Sequence, residues 1–225
     1  MPTADPAFFA GHQEILPLDA IRARHFTIAG CGSLGSLIGR ILARLGAHRF
    51  HLVDAEKVEL RHLSRSVYAF EHVGTNKAAA LSFQLGKIHS KVRCVTTSKA
   101  LTEDHLKRGK EDILIFTTSD PTLPKRALEW FRDWPANERP SMWVTRYSEL
   151  QGGYWYADLK NDMPDAVPEL PWLHPTGHDQ PDAARRIVTT AHVVAGLVCH
   201  SIVDHFMARP FKARVDVDLE ALLRG

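Results

Sequence analysis

Apolar residues along this chain fall into two alternating rhythms. Short unbroken runs, such as Phe26-Thr27-Ile28-Ala29, Phe50-His51-Leu52-Val53 and Ile113-Leu114-Ile115-Phe116, read as buried strands of a parallel sheet. Between the first two, Leu34, Leu37, Ile38, Ile41, Leu42 and Leu45 recur at helical spacing, predicting a helix from Ser33 to Leu45 that Gly46 terminates. The same reading predicts a helix from about Asn76 to Leu85, a strand at Val92–Thr96, a short helix near Glu103–Lys107 and a helix to about Phe131. Strands follow at Met142–Tyr147 and Gly153–Leu159, then a long helix over roughly Ile187–Ala208 and a closing strand at Ala213–Leu219. Residues 1–17 have no period and read as an amino-terminal arm. The five prolines of 160–185 mark a crossover-type loop, and the polar stretch 54–75 is long for a connection. This alternation predicts a doubly wound α/β fold in one domain over 1–225. Its sheet should be mainly parallel, with antiparallel strands at the carboxyl-terminal side.

The first strand runs into Gly30-Cys31-Gly32-Ser33-Leu34-Gly35, a G-x-G-x-x-G turn that opens the helix. Gly30 permits the sharp turn, Gly32 lets a phosphate approach the backbone and Gly35 lets helix and strand pack closely, while the helix start offers free N–H groups to an anion. Asp54, 19 residues after Gly35 and at the tip of the next strand, can accept hydrogen bonds from a ribose hydroxyl. Together these features predict a Rossmann-like nucleotide site. Gly30–Gly35, Asp54 and Asp120 all lie beyond the carboxyl ends of predicted parallel strands, where such sheets bind ligands.

Cationic residues separate a triphosphate from a dinucleotide. Arg61 and Arg65 follow Asp54, Lys77 opens the next helix, and Asp120 offers a hard oxygen suited to magnesium. That set favours nucleotidyl transfer over the hydride transfer of an NAD-dependent oxidoreductase. Arg61 is read equally as a solvent-facing residue, and Asp120 also as a helix cap before Pro121. Lys plus Arg (28) exceed Asp plus Glu (26) by only two, so no global field draws the chain to nucleic acid or a membrane. Neither a signal peptide nor a membrane span is legible, which predicts a cytoplasmic protein. Three scattered cysteines support no disulfide framework or zinc site. Cys31, at a helix amino terminus, is either a reactive thiolate or a small residue in a tight turn. His174 and His178 are not aligned as metal ligands, because Pro175 and Gly177 exclude a helix there. Trp155 and Trp172 are read as core or loop anchors, and Lys107, Arg108 and Lys110 as a solvated helix end.

From Thr27 to about Asp120 the sequence resembles the adenylating domain of the ThiF/MoeB family, which includes the ubiquitin-activating enzymes. The resemblance rests on Gly30, Gly32, Leu34, Gly35 and Ser36, then Asp54, Glu56, Val58, Leu63 and Arg65, then Val73, Gly74 and Lys77, then Asp120. The final helix and strand are also similar. What it implies is ATP on the glycine loop, with Gly30, Gly32, Ser33, Leu34, Gly35, Asp54, Glu56 and His62 binding the nucleotide. It further implies Arg65 and Lys77 on the phosphates and Asp120 on magnesium. The implied reaction is adenylation of the carboxyl-terminal glycine of a ubiquitin-like or sulfur-carrier protein, by a homodimer or a pair with a related subunit. Short bacterial relatives in ubiquitin-like conjugation operons, some linked to phage defence, are the implied setting.

The chain also departs from the family pattern. His62 stands where the family carries asparagine and Ser66 where it carries glutamine, and residues 1–20 hold no counterpart of the amino-terminal arginine that in the family reaches the partner subunit's ATP, leaving Arg22 or Arg24 to substitute. The family's zinc cysteines and thioester cysteine have no counterpart. A scaffolding, inactive subunit is therefore the alternative reading. Adenylation of a tRNA base, also known in the family, lacks a basic patch in this sequence.

Overall fold

The computed structural model describes residues 6–11, 14–107, 110, 112–170 and 187–224. Their strands are β1 (Phe26–Ala29), β2 (Arg49–Val53), β3 (Arg93–Thr97), β4 (Ile113–Phe116), β5 (Ser141–Tyr147), β6 (Gln151–Asp158) and β7 (Arg214–Asp218). The helices are α1 (Pro6–Phe9), α2 (Leu18–Ala23), α3 (Ser33–Arg44), α4 (Leu60–Leu63), α5 (Lys77–Gly86), α6 (Leu123–Arg132), α7 (Val188–Phe206) and α8 (Leu219–Arg224). One sheet of order β3-β2-β1-β4-β5-β6-β7 is parallel from β3 to β5 and antiparallel from β5 to β7. This is the mixed α/β architecture that the sequence pattern predicts.

Each central strand divides its side chains between two cores, because successive residues point to opposite faces. Phe26, Ile28, Ile113, Ile115 and Trp143 pack on one face beneath α3, α5 and α7. Ala29, Leu114, Phe116, Met142 and Val144 meet α6 on the other, through Leu123, Ala127, Leu128 and Phe131. Burial on both faces explains the unbroken apolar runs of β1 and β4. Trp155 belongs to the second core, as the core-anchor reading expects. Trp172, His174 and His178 lie outside the described residues, as does Arg108.

Differences from the sequence reading are local. The polar stretch 54–75 contains α4 and a 3-10 turn at Phe70–His72, both too short to carry a period. The expected helix near 103–107 is a 3-10 turn at Glu103–His105. Helix α5 begins after Asn76, whose side chain accepts from the Ala78 and Ala79 amides.

Gly35 fixes how closely α3 meets β1. A Cβ there would lie 1.9 Å from the Gly30 carbonyl oxygen and 2.6 Å from Thr117 Oγ1, whereas one on Gly196, exposed within α7, meets nothing within 4 Å. Gly35→Ala should therefore cost about 1–3 kcal/mol or more. Gly196→Ala should add about 0.5–1 kcal/mol. Urea denaturation checks both, and equal effects would contradict the packing.

Burial holds the His48, His62, His89 and His205 rings below the ordinary histidine pKa. As pH falls through about 6.5 the unfolded chain takes up protons at these positions before the folded one does. Their stability contribution is thus complete above that value and lost below it. The urea midpoint should drop between about pH 7.5 and 5.5, and an unchanged midpoint would contradict these placements.

Candidate functional site

The glycine loop is tied to β2 by one carboxylate. Asp54 Oδ2 accepts the Cys31 N–H at 2.7 Å and Oδ1 accepts the Glu56 N–H at 2.8 Å, while the Gly30 N–H donates to the Val53 carbonyl at 2.8 Å. Gly30 takes φ +101°, a left-handed conformation that glycine adopts without strain. Thr117, leaving β4, closes the other side with its hydroxyl 2.5 Å from the Gly30 carbonyl. Gly32 is the N-cap of α3, with no side chain capping the helix and nothing within 4 Å of where its Cβ would stand. The first-turn amides therefore take no bond from an N-cap side chain, as at helix starts that draw an anion, and Gly32 lines the cavity.

Asn76 joins the exit of β2 to the start of α5. Its Nδ2 donates to the Asp54 carbonyl at 2.7 Å and the Glu56 carbonyl at 3.1 Å. The next residue, Lys77, has a buried side chain whose ammonium pairs with the half-exposed Glu56 carboxylate. That hydrogen bond, aided by the Lys77 charge, holds Glu56 below the usual carboxylate range. The Tyr68 hydroxyl lies between the carbonyls of Cys31 and Lys77, linking loop and helix from beneath.

Across the cavity, Asp120 Oδ1 accepts from the Thr122 N–H (2.8 Å) and hydroxyl (2.6 Å), and Oδ2 pairs with Arg126 at 3.1 Å. The Thr122 bonds and then the Arg126 charge lower its pKa. The alternative cap reading has support, because α6 begins at Leu123 with Thr122 as N-cap and the Asp120 carboxylate accepts backbone N–H groups of Thr122 and Leu123. Asp54 is shifted the other way, raised by burial against the opposing bonds from Glu56 and Cys31.

One cavity brings together Gly30, Gly32, Asp54, Glu56, Lys77 and Asp120 of the sequence-predicted residues, beside the apolar Leu101 and Leu123. Two cations that the sequence reading missed, Lys99 and Arg126, also line it. Neither sits in a motif; the exit of β3 and the first turns of α6 bring them there. Ser33, Leu34, Gly35, His62 and Arg65 are not among the lining residues. Leu34 and Gly35 are buried in the α3 start, and the Ser33 hydroxyl bonds the Arg65 carbonyl. His62 is buried and kept neutral by burial and then by Lys77, with Nδ1 accepting the Glu59 N–H at 2.9 Å. Its ring thus caps α4. Arg61 is exposed and pairs with Glu59 at 3.0 Å.

Arg22 and Arg24 are at the opposite edge of the sheet. Arg22 lies over the Phe9 ring, and Arg24 pairs with Asp112 at 3.3 Å, before β4, both away from this chain's own cavity. The thiols are equally removed from chemistry. Burial, followed by the Asp54 charge, raises Cys31 well above an ordinary thiol, so the tight-turn reading holds. Cys199, buried in α7, is raised by burial, and so is Cys94. Among the described residues no group of three or more His, Cys, Asp or Glu side chains is placed to hold a metal, and no helix is long and apolar enough to cross a membrane.

Comparison with known proteins gives this geometry a context. The chain is 41% identical over 68 residues to an ATP-dependent ubiquitin transferase-like protein, Cap2, of Enterobacter hormaechei subsp. hoffmannii (strain UCI 50), covering 30% of this chain and 11% of that protein. It is 38% identical over 76 residues to the adenylyltransferase and sulfurtransferase MOCS3 of Sus scrofa, covering 33% and 17%. The chain therefore matches only a small part of these relatives' length. The fold superposes on the crystal structure of E. coli MccB with ATP at a TM-score of 0.69 and 16% identity, over 90% of this chain and 63% of that one. The ThiF family pattern matches residues 7–127, more than half of the sequence, and the chain belongs to the ThiF family.

Proposed function

We propose that this chain uses ATP to adenylate the carboxyl-terminal carboxylate of a ubiquitin-like or sulfur-carrier protein. The observation that carries the reading is the composition of the cavity at the carboxyl ends of β1, β2 and β4. It joins an uncapped helix start to Lys77, Lys99 and Arg126 and to the carboxylates of Asp54, Glu56 and Asp120. A dinucleotide needs the cradle and the ribose acid alone; the additional cations suit a triphosphate. Membership of the ThiF family and the similarity to MOCS3, named an adenylyltransferase, support the same direction.

At rest the charges are matched in pairs, Lys77 with Glu56 and Arg126 with Asp120. Phosphate would exchange into these pairs, taking the cations and releasing the carboxylates. The Asp120 carboxylate fits magnesium, which binds through one or two carboxylates together with phosphate oxygens. Bound there, the ion would neutralise charge developing on the phosphates. Lys77, Lys99 and Arg126 would hold the phosphates in line as a carboxylate oxygen of the partner attacks the α-phosphorus. The new P–O bond forms as the bond to pyrophosphate breaks, giving an acyl adenylate and free pyrophosphate.

Asp120→Asn should reduce pyrophosphate exchange on the order of 100-fold or more, with an unchanged melting temperature. Lys77→Ala should raise the KM for ATP as well, since its ammonium would touch phosphate in the ground state. If both variants leave activation of a partner subunit intact, the chain is a scaffold and the adenylation reading fails.

No thioester should form on this chain, because its thiols are held in their protonated form by burial. Incubation with ATP, magnesium and a glycine-ending carrier protein should leave no reductant-sensitive adduct. An adduct abolished by Cys199→Ala would contradict this.

A further inference from the structure

The amino-end edge of the sheet, opposite the nucleotide cavity, gathers cations that the sequence scatters. Arg22 from α2, His48 and Arg49 from the start of β2, and Lys91 and Arg93 from the start of β3 line one open depression with Asp19 and Ala23. The parallel register sets Arg49 beside Arg93. Like charges on adjacent strands destabilise a sheet. Asp19 is the sole carboxylate among these lining residues, 3.5 Å from Arg22.

The guanidinium groups are held in place by backbone and ring as well as by charge. Arg49 Nη2 donates to the Arg22 carbonyl at 3.0 Å and also to the Ala23 carbonyl. Arg93 Nη1 donates to the Ser90 and Val92 carbonyls at 2.8 and 2.9 Å. Arg22 lies 4.8 Å from the Phe9 ring centroid. Arginines already fixed lose less side-chain entropy when an anion arrives. His48 lies among them, its pKa lowered by burial and then by Arg49, His89 and Arg22, against an opposing hydrogen bond with the Gly46 backbone.

We propose that this edge docks a carboxylate-rich surface of a protein partner, at a distance from the nucleotide cavity. Openness argues against a small molecule, because such ligands are buried in concave pockets. Extent argues against nucleic acid, whose electrostatic affinity grows with the number of phosphates neutralised. The cations here span only two strand starts, about 4.8 Å apart, and one helix end. A compact acidic face matches both size and sign. The inference stands independently of adenylation.

The test uses the full chain and a short oligoglutamate peptide at low ionic strength, with a DNA duplex as comparison probe. The peptide should bind more tightly than the duplex. Its binding should raise the His48 pKa followed by NMR, because a nearby anion favours the imidazolium. The double variant Arg49→Glu, Arg93→Glu should weaken it on the order of tenfold or more while leaving ATP affinity unchanged. Arg49→Gln, a milder change, should weaken it less and serves if the double variant does not fold. No peptide binding, equal binding to wild type and variant, an unmoved His48, or tighter binding of the duplex would each overturn the proposal.

Discussion

Asp54 is the point on which the site depends. Its two carboxylate oxygens accept two backbone N–H groups from different segments, Cys31 in the glycine loop and Glu56 in the turn after β2. An asparagine could satisfy only one of them, since its amide offers one acceptor and one donor. The carboxylate is partly buried, which raises its pKa, and the N–H bonds offset that cost. The glycine loop, the β2 exit and, through Asn76, the start of α5 therefore move as one unit. Lys77 takes its position from that unit.

Carboxylates and cations that would meet a nucleotide are already matched to each other. Glu56 holds Lys77 and Asp120 holds Arg126, one pair on each side of the cavity. Such pairing keeps the charges satisfied without a ligand, and in the proposed reaction phosphate binding would be an exchange of partners. At the opposite edge of the sheet one carboxylate, Asp19, pairs with Arg22 amid several cations. Arg49 and Arg93 stand side by side there, and their contacts are largely backbone carbonyls.

Much of this was legible in the sequence because buried parallel strands and amphipathic helices have different periods. Ile113–Phe116 was readable to the residue, and α3 to within one position. The glycine loop, Asp54, Glu56, Lys77 and Asp120 were readable as spaced residues of one motif. Lys99 and Arg126 were not, since a lone cation in a polar stretch has no pattern until strand and helix ends are placed. The basic edge was hidden for the same reason: Arg22, Arg49 and Arg93 are distant in sequence, and the parallel pairing of β2 and β3 brings the latter two together. Arg65 fits the family motif and His62 stands at its asparagine position, yet their places depend on α4, a single turn without its own signal.

The central claim is that an Asp54-braced cavity is built for a triphosphate rather than a dinucleotide. Calorimetric titration of the wild-type chain and Asp54→Ala with ATP–magnesium and with NAD tests it most directly. The account predicts that wild type binds ATP more tightly than NAD, and that Asp54→Ala weakens ATP on the order of tenfold or more without unfolding the chain. Tighter binding of NAD, or ATP affinity indifferent to the loss of Asp54, would contradict it.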